Sequence, residues 1–162
     1  MTNTRTIENL QKALSMELTA SHQYQLHAHV LDDWGLDRLA DQMREEMQEE
    51  LGHSDEYIAR IMFLGGTPEP KMAKDPVAAA SLVAMFKADL ADEEEAIEFY
   101  TKASQQAAEV GDIGTRQLFE KIVLDEEGHK SWLELQISLI ERIGEQAYSA
   151  KHVSAPDGKA AG

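Results

Sequence analysis

The sequence carries two copies of a Glu-x-x-His motif, at Glu50–His53 and at Glu126–His129. A spacing of three residues places a carboxylate and an imidazole on one face of a helix, where both can reach the same metal ion. One copy alone would be weak evidence in a chain of 162 residues that contains 30 aspartates and glutamates. The motif therefore predicts a metal site only if a second regularity supports it.

A repeat along the chain supplies that regularity. Each motif follows another glutamate by 33 residues, and the second set follows the first by 76 residues throughout. The six residues are Glu17, Glu50, His53, Glu93, Glu126 and His129. Four carboxylates and two imidazoles suit two first-row metal ions, and such residues inside a four-helix bundle form the di-iron carboxylate arrangement. We interpret them as the ligands of two iron ions bridged by Glu50 and Glu126. Glu17 and Glu93 are then terminal ligands.

Several neighbouring residues leave two interpretations open. Tyr24 follows Glu17 by seven residues on the same helical face, and is either a tyrosine that acts beside the metals or a core aromatic. Tyr100 is expected to pack in the core. Three further carboxylates could form an iron entry path, although a solvated acidic face is the favoured interpretation: Glu46, Glu49 and Asp89.

Helices must position these residues. Apolar residues recur every three to four positions in four segments, and none of the segments shows sustained strand alternation. The segments span 5–32, 37–64, 80–110 and 115–143, with Thr115 as the expected N-cap of the last. The break between the first and second segments is short, and so is the break between the third and fourth. Residues 65–79, between the second and third segments, are numerous enough to cross the whole bundle. We predict an all-α four-helix bundle with one long crossover and a short fifth helix at 144–150. A simple up-down bundle stays open as the alternative.

Composition excludes other classes of protein. The formal net charge of −15 disfavours nucleic acid or an anionic membrane as partner and suits small cations. The absence of cysteine excludes disulfides, zinc ribbons and thiol nucleophiles. The first sixteen residues lack the apolar core of a signal peptide, so we expect a soluble cytoplasmic protein. We expect one domain over residues 1–152 and a flexible tail over 153–162.

From about residue 5 to 148, the chain resembles the bacterioferritin family of the ferritin-like superfamily. The resemblance rests on ordered motifs that include Met16-Glu17-Leu18-Thr19-Ala20, Asp33-Trp34-Gly35-Leu36, Arg60-Ile61-Met62-Phe63-Leu64-Gly65-Gly66, Asp125-Glu126-Glu127-Gly128-His129 and Ile143-Gly144-Glu145-Gln146. It implies a hollow cage of 24 subunits that oxidises Fe(II) with O2 or peroxide at an intrasubunit di-iron ferroxidase centre and stores ferric mineral. It also implies the same six ligands and a tyrosine beside the centre at Tyr24.

One position departs from the family pattern. The resemblance implies haem b between two-fold-related subunits, ligated by a methionine immediately after the second-helix glutamate, and this position is Leu51. Leucine has no sulfur that could ligate haem iron. Either Met47, one turn earlier, takes its place, or a second, haem-binding type of subunit is present in a mixed cage. Met47 and Leu51 also belong to an apolar stripe with Ile58 and Met62, for which we expect self-association.

Two rival functions stay open beside iron storage. The first is another redox enzyme on the same bundle, such as a rubrerythrin-like peroxidase or a manganese catalase. The second is a non-catalytic helical interaction protein. The quantity of iron loaded and the effect of ligand substitutions separate these rivals from a ferroxidase.

Overall fold

Five helices lie within residues 2–154, the part of the chain that the computed structural model describes. The four long helices are α1 (Thr2–Asp33), α2 (Asp37–Phe63), α3 (Leu82–Glu109) and α4 (Ile113–Ile143), and the short α5 spans Glu145–Ala150. The predicted long helices are confirmed to within three residues at each end, and so is the short fifth helix. Most of the predicted tail, residues 155–162, lies outside the described residues. No helix in the described range is long and apolar enough to cross a bilayer.

The start of α4 corrects one prediction. Thr115 is not the N-cap: the helix begins at Ile113, and Asp112 caps it by accepting a hydrogen bond of 3.0 Å from the Thr115 N–H. Gly114, which the sequence suggested as part of the break, is helical. A Cβ at Gly114 would lie 2.6 Å from Nη2 of Arg60, so this glycine makes room for the guanidinium. That guanidinium donates to both Asp112 and Thr115 and ties α2 to the start of α4.

Hydrogen bonds between helices establish the topology. The three-residue loop between α1 and α2, where Gly35 adopts a φ of 81°, makes these helices antiparallel. Asn9, early in α1, donates to Gln106, late in α3, whereas Tyr24, later in α1, donates to Glu93, earlier in α3. Since α2 and α3 both run opposite to α1, they are parallel to each other. Residues 64–81 therefore form one long crossover, as predicted, and the up-down alternative is wrong.

The core consists of two apolar clusters separated by a polar layer. The first cluster includes Leu31, Leu39, Met43, Phe86, Leu133 and Tyr148, and the second includes Leu10, Leu14, Tyr57, Ile61, Tyr100, Phe119 and Ile122. Burial of these side chains stabilises the bundle on both sides of the layer. The layer between them holds the acidic and histidine residues that interrupt each apolar stripe.

Candidate metal centre

The polar layer contains the six residues that the sequence repeat singled out. Helices α1 and α3 each contribute one glutamate, and α2 and α4 each contribute a Glu-x-x-His pair. None of the six exposes more than 7% of its surface: Glu17, Glu50, His53, Glu93, Glu126 and His129. Their potential ligand atoms form two groups of four, each within 4.8 Å: Glu17, Glu50, His53 and Glu126, and Glu50, Glu93, Glu126 and His129. We call these groups the His53 half and the His129 half.

Glu50 and Glu126 belong to both halves. Nδ1 of His53 lies 3.2 Å from Oε2 of Glu50 and 3.2 Å from Oε1 of Glu126. Nδ1 of His129 lies 3.2 Å from the other oxygen of Glu50 and 3.3 Å from the other oxygen of Glu126. Each carboxylate thus presents one oxygen to each half, which is the arrangement that a bridge between two cations requires.

Glu17 and Glu93 each belong to one half. An oxygen of Glu17 lies 3.6 Å from Nδ1 of His53, and an oxygen of Glu93 lies 3.6 Å from Nδ1 of His129. Each also accepts a hydrogen bond from a tyrosine of the facing helix: Tyr100 donates to Glu17 and Tyr24 donates to Glu93, each at 2.5 Å. Tyr24 therefore borders the centre. Tyr100 packs in the core as expected and also contacts the centre, which the 76-residue offset between the two tyrosines could have indicated.

Outer carboxylates contact the Nε2 atoms of both histidines. Nε2 of His53 lies 3.1 Å from Asp125, and Nε2 of His129 lies 2.8 Å from Glu46 and 3.0 Å from Glu49. These contacts orient each ring so that Nδ1 points to the shared carboxylates, a common role of outer partners in metal sites. Sequence reasoning missed Asp125, although it lies 76 residues after Glu49.

The expectation of a solvated acidic face is wrong for Glu46 and Asp89, which are 8% and 2% exposed. Asp89 accepts from His27, itself 1% exposed, over 3.1 Å. Burial raises the pKa of Asp89 above its usual range, and the interaction with His27 opposes this increase. The repeat gave no signal for this pair, because Ala13 and Ala103 occupy the corresponding positions.

Burial and crowding shift the pKa values of the inner residues. Burial raises the pKa of Glu17 and Glu93 well above the usual range, and a neighbouring shared carboxylate raises it further. Burial alone would raise the pKa of Glu126, but its close polar contacts with Glu93 and the two histidines lower it below its usual value. Burial lowers the pKa of His53 and His129, but the surrounding carboxylates raise it by more, which favours the protonated form of both rings without a metal.

Three buried atoms at the middle of the centre have no hydrogen-bond partner: Oε1 of Glu50, Oε1 of Glu126 and Nδ1 of His129. Nδ1 of His129 and Oε1 of Glu50 are only 3.2 Å apart, yet their alignment does not make a hydrogen bond. Buried polar atoms without partners are costly, and converging donors of this kind suit a cation. The donor set therefore fits two divalent first-row metal ions.

Comparisons with known proteins agree with the fold. A family model described as a ferritin-like domain matches residues 7–143. The bacterioferritin of Rhodobacter capsulatus is 41% identical over 94% of this chain and 95% of its own, and that of Brucella melitensis is 37% identical over 94% and 95%. A solved structure of the R. capsulatus protein, described with a metal-free dinuclear site and haem iron in a crystallographic special position, superimposes with a TM-score of 0.91 over 94% of this chain and 95% of that one. The chain belongs to the bacterioferritin family of iron-storage proteins.

Proposed function

We propose that the chain is a ferroxidase subunit, which binds two Fe(II) ions as substrate in the polar layer and releases Fe(III) for storage. The single observation that carries the proposal is the sharing of Glu50 and Glu126 between two otherwise separate groups of ligand atoms. Two ferrous ions held side by side can give two electrons to one molecule of O2 or peroxide. Neighbouring sites are what this two-electron step requires.

Each group of residues has a distinct task in this proposal. The shared carboxylates hold both ions, and the terminal carboxylates complete the balance of four negative charges against two Fe(II) ions. The histidines bind through Nδ1 because outer carboxylates engage Nε2. Tyr24 and Tyr100 hold the terminal carboxylates in place by hydrogen bonds. Protons held by the inner residues leave when Fe(II) binds.

The test combines Glu17→Ala with Glu126→Ala and measures the initial rate of ferrous oxidation. We expect the fast phase to be lost, because one half loses its terminal ligand and both halves lose a shared one. A matched control is Glu8→Ala with Glu127→Ala, which removes exposed glutamates from the same two helices. Oxidation at the original rate in the first variant would contradict the proposal.

The rubrerythrin-like alternative differs in the iron that it retains. A storage protein loads a mineral of many ferric ions, whereas a peroxidase keeps a few ions per subunit. Iron analysis after loading with excess Fe(II) separates the two functions.

We also propose that the subunit assembles through the apolar stripe of α2 into a cage of 24 copies in the cytoplasm. Met47, Leu51 and Ile58 are half-buried, while Met62 is 62% exposed. An apolar stripe left partly open on a charged subunit suits a second subunit. Light scattering of the purified protein measures the assembly directly.

We propose further that this chain does not ligate haem. Leu51 offers no ligand atom, and Met47 packs against the first apolar cluster of its own subunit. Haem in the cage would then require a second subunit type. The absorption spectrum tests this, since a full Soret band at one haem per two copies of this chain alone would contradict it.

A further inference from the structure

A cavity of about 230 Å³ lies between α1 and α3 beneath the crossover. Its inner wall includes both shared carboxylates, Glu50 and Glu126, which are each 1% exposed and carry the unpartnered oxygens described above. Its outer wall includes Lys74 of the crossover and Asp92 and Glu95 of α3. The cavity thus connects partly exposed residues with the middle of the metal centre.

The crossover is fixed over this cavity by hydrogen bonds to α1. The side chain of Gln23 makes two hydrogen bonds of 2.9 Å with the backbone of Val77, one as donor and one as acceptor. The Thr19 hydroxyl accepts from the Ala73 N–H at 2.8 Å. These contacts set the backbone on both sides of Lys74 and so place the start of its side chain at the cavity mouth.

Charges in the cavity are strongly one-sided. Seven carboxylates line it, namely Glu17, Glu50, Asp89, Asp92, Glu93, Glu95 and Glu126, and Lys74 is its one cationic residue within the described chain. Nζ of Lys74 lies 2.6 Å from Oδ1 of Asp92, and the lysine side chain is 58% exposed. A hydrogen bond and the charge of Asp92 raise the pKa of Lys74, which keeps it charged.

We propose that Fe(II) enters the centre through this cavity and that Lys74 at its mouth controls the rate of entry. The inference rests on the proposed function. Lys74 pairs with Asp92 in the outer wall, and a divalent cation that binds Asp92 on entry must displace the lysine. The exposed lysine can move into solvent without breaking buried contacts, after which Asp92 and Glu95 present their oxygens to the cation. Lys74 therefore lowers the rate of cation entry without changing the ligands inside.

Lys74→Met tests this role, because methionine keeps much of the side-chain volume and removes the charge. The probe is Co(II), which is stable to oxidation, and its association is followed by stopped-flow visible absorbance. At low salt we expect association about three-fold faster in Lys74→Met and about three-fold slower in Asp92→Asn, as one charge near a divalent cation implies. Both differences should shrink in about 0.5 M salt, where charges are screened within a few ångströms.

The matched control is Lys71→Met, which removes a cation from the same crossover outside the cavity, where Lys71 pairs with the exposed Glu69 at 2.8 Å. We expect wild-type association in this variant. For Fe(II) oxidation, Lys74→Met should lower the Fe(II) concentration at half-maximal rate, with the maximal rate and the peroxide dependence unchanged.

Two outcomes separate failure of this inference from failure of the proposed function. If Lys74→Met and Lys71→Met bind Co(II) at the same rate at low salt while Glu126→Ala abolishes fast oxidation, entry past Lys74 is wrong and the ferroxidase stands. If Glu126→Ala oxidises Fe(II) like wild type, the proposed function fails and the inference fails with it.

Discussion

The His53 half and the His129 half of the metal centre can be compared position by position, because each residue in one has a counterpart 76 positions along the chain. The inner positions are occupied by the same residue types: Glu17 and Glu93, Glu50 and Glu126, His53 and His129, Tyr24 and Tyr100. Identical inner residues give nearly identical distances to the two Nδ1 atoms. The chemistry of binding a pair of cations accounts for this sameness.

The surroundings of the two halves differ. Glu46 beside His129 corresponds to Ile122, and the buried pair of His27 and Asp89 corresponds to two alanines. The His53 half therefore borders the second apolar cluster, whereas the His129 half borders further buried carboxylates. The ligand set alone therefore does not make the two halves equal. The His129 half has the more negative surroundings.

The largest expected effect distinguishes a shared carboxylate from a terminal one. Glu126→Gln should weaken cation binding in both halves by more than the about 10- to 100-fold typical of outer-shell changes. Glu17→Gln should remove binding in the His53 half and leave about one cation per subunit in the other. Titration with Co(II), followed by visible absorbance, measures both. Two bound cations in Glu126→Gln would show that the halves do not depend on it.

Proton release upon metal binding should be similar in the two halves, because each contains one glutamate and one histidine whose pKa is raised. A cation replaces these protons, so we expect up to about four protons released per subunit and tighter Co(II) binding as the pH rises from about 6 to about 8. A pH indicator in weak buffer counts the protons. Unequal release from Glu17→Gln and Glu93→Gln would break the equivalence.

The same shifts determine how the metal-free subunit responds to pH. A raised pKa means that the folded state holds more protons than the unfolded state, so the free energy of unfolding falls as pH rises above the unfolded-state values of 4.5 for glutamate and 6.5 for histidine. Thermal unfolding of metal-free protein should therefore occur at lower temperature at about pH 8 than at about pH 6. A rise in melting temperature over this range would contradict the direction of the shifts.

The sequence predicted the ligand residues of the metal centre better than the residues that surround them. The six inner residues follow from motif spacing, because helical periodicity fixes which residues share a face. Four helices and the crossover follow from apolar stripes and loop lengths. The burial of Glu46 does not follow, since a glutamate on an acidic helix is more often solvated, and only the approach of α4 places His129 against it.

Other features depend on contacts between distant residues and could not be predicted locally. Position 114 is a glycine inside a helix because Arg60, 54 residues earlier, fills the space that a Cβ would take. The pairing of His27 with Asp89 joins α1 to α3 and has no repeat counterpart. In both cases the deciding partner comes from another helix, which sequence spacing within one helix does not reveal.

An intermediate effect is expected from the outer carboxylates. Asp125 is the one outer carboxylate contacting Nε2 of His53 among the described residues, whereas His129 has both Glu46 and Glu49. Asp125→Asn should therefore weaken Co(II) binding in the His53 half by about 10- to 100-fold. Glu49→Gln should weaken binding in the other half by less, because Glu46 still orients the ring. Equal losses would show that Glu46 does not compensate.

The smallest expected effect concerns the two tyrosines. Tyr24→Phe and Tyr100→Phe each remove one hydrogen bond to a terminal carboxylate, so each should weaken Co(II) binding by about two- to thirteen-fold, as a net hydrogen bond of about 0.5–1.5 kcal/mol implies. Their effects on Fe(II) oxidation should differ. Burial and the charges of Glu93 and Asp89 raise the pKa of Tyr24, so its hydroxyl stays protonated beside a carboxylate able to accept that proton.

Tyr100 likewise donates to Glu17, but its ring packs against Tyr57, Phe99 and Phe119, whereas Tyr24 also has the negative charge of Asp89 nearby. Loss of an electron from a tyrosine is easier beside an additional negative charge, so Tyr24→Phe should slow the oxidation of Fe(II) by O2 more than Tyr100→Phe does. Stopped-flow absorbance at saturating Fe(II) removes the difference in affinity from the measurement. Equal slowing in the two variants would mean that both tyrosines only position carboxylates, and that the surroundings of the two halves do not affect the reaction.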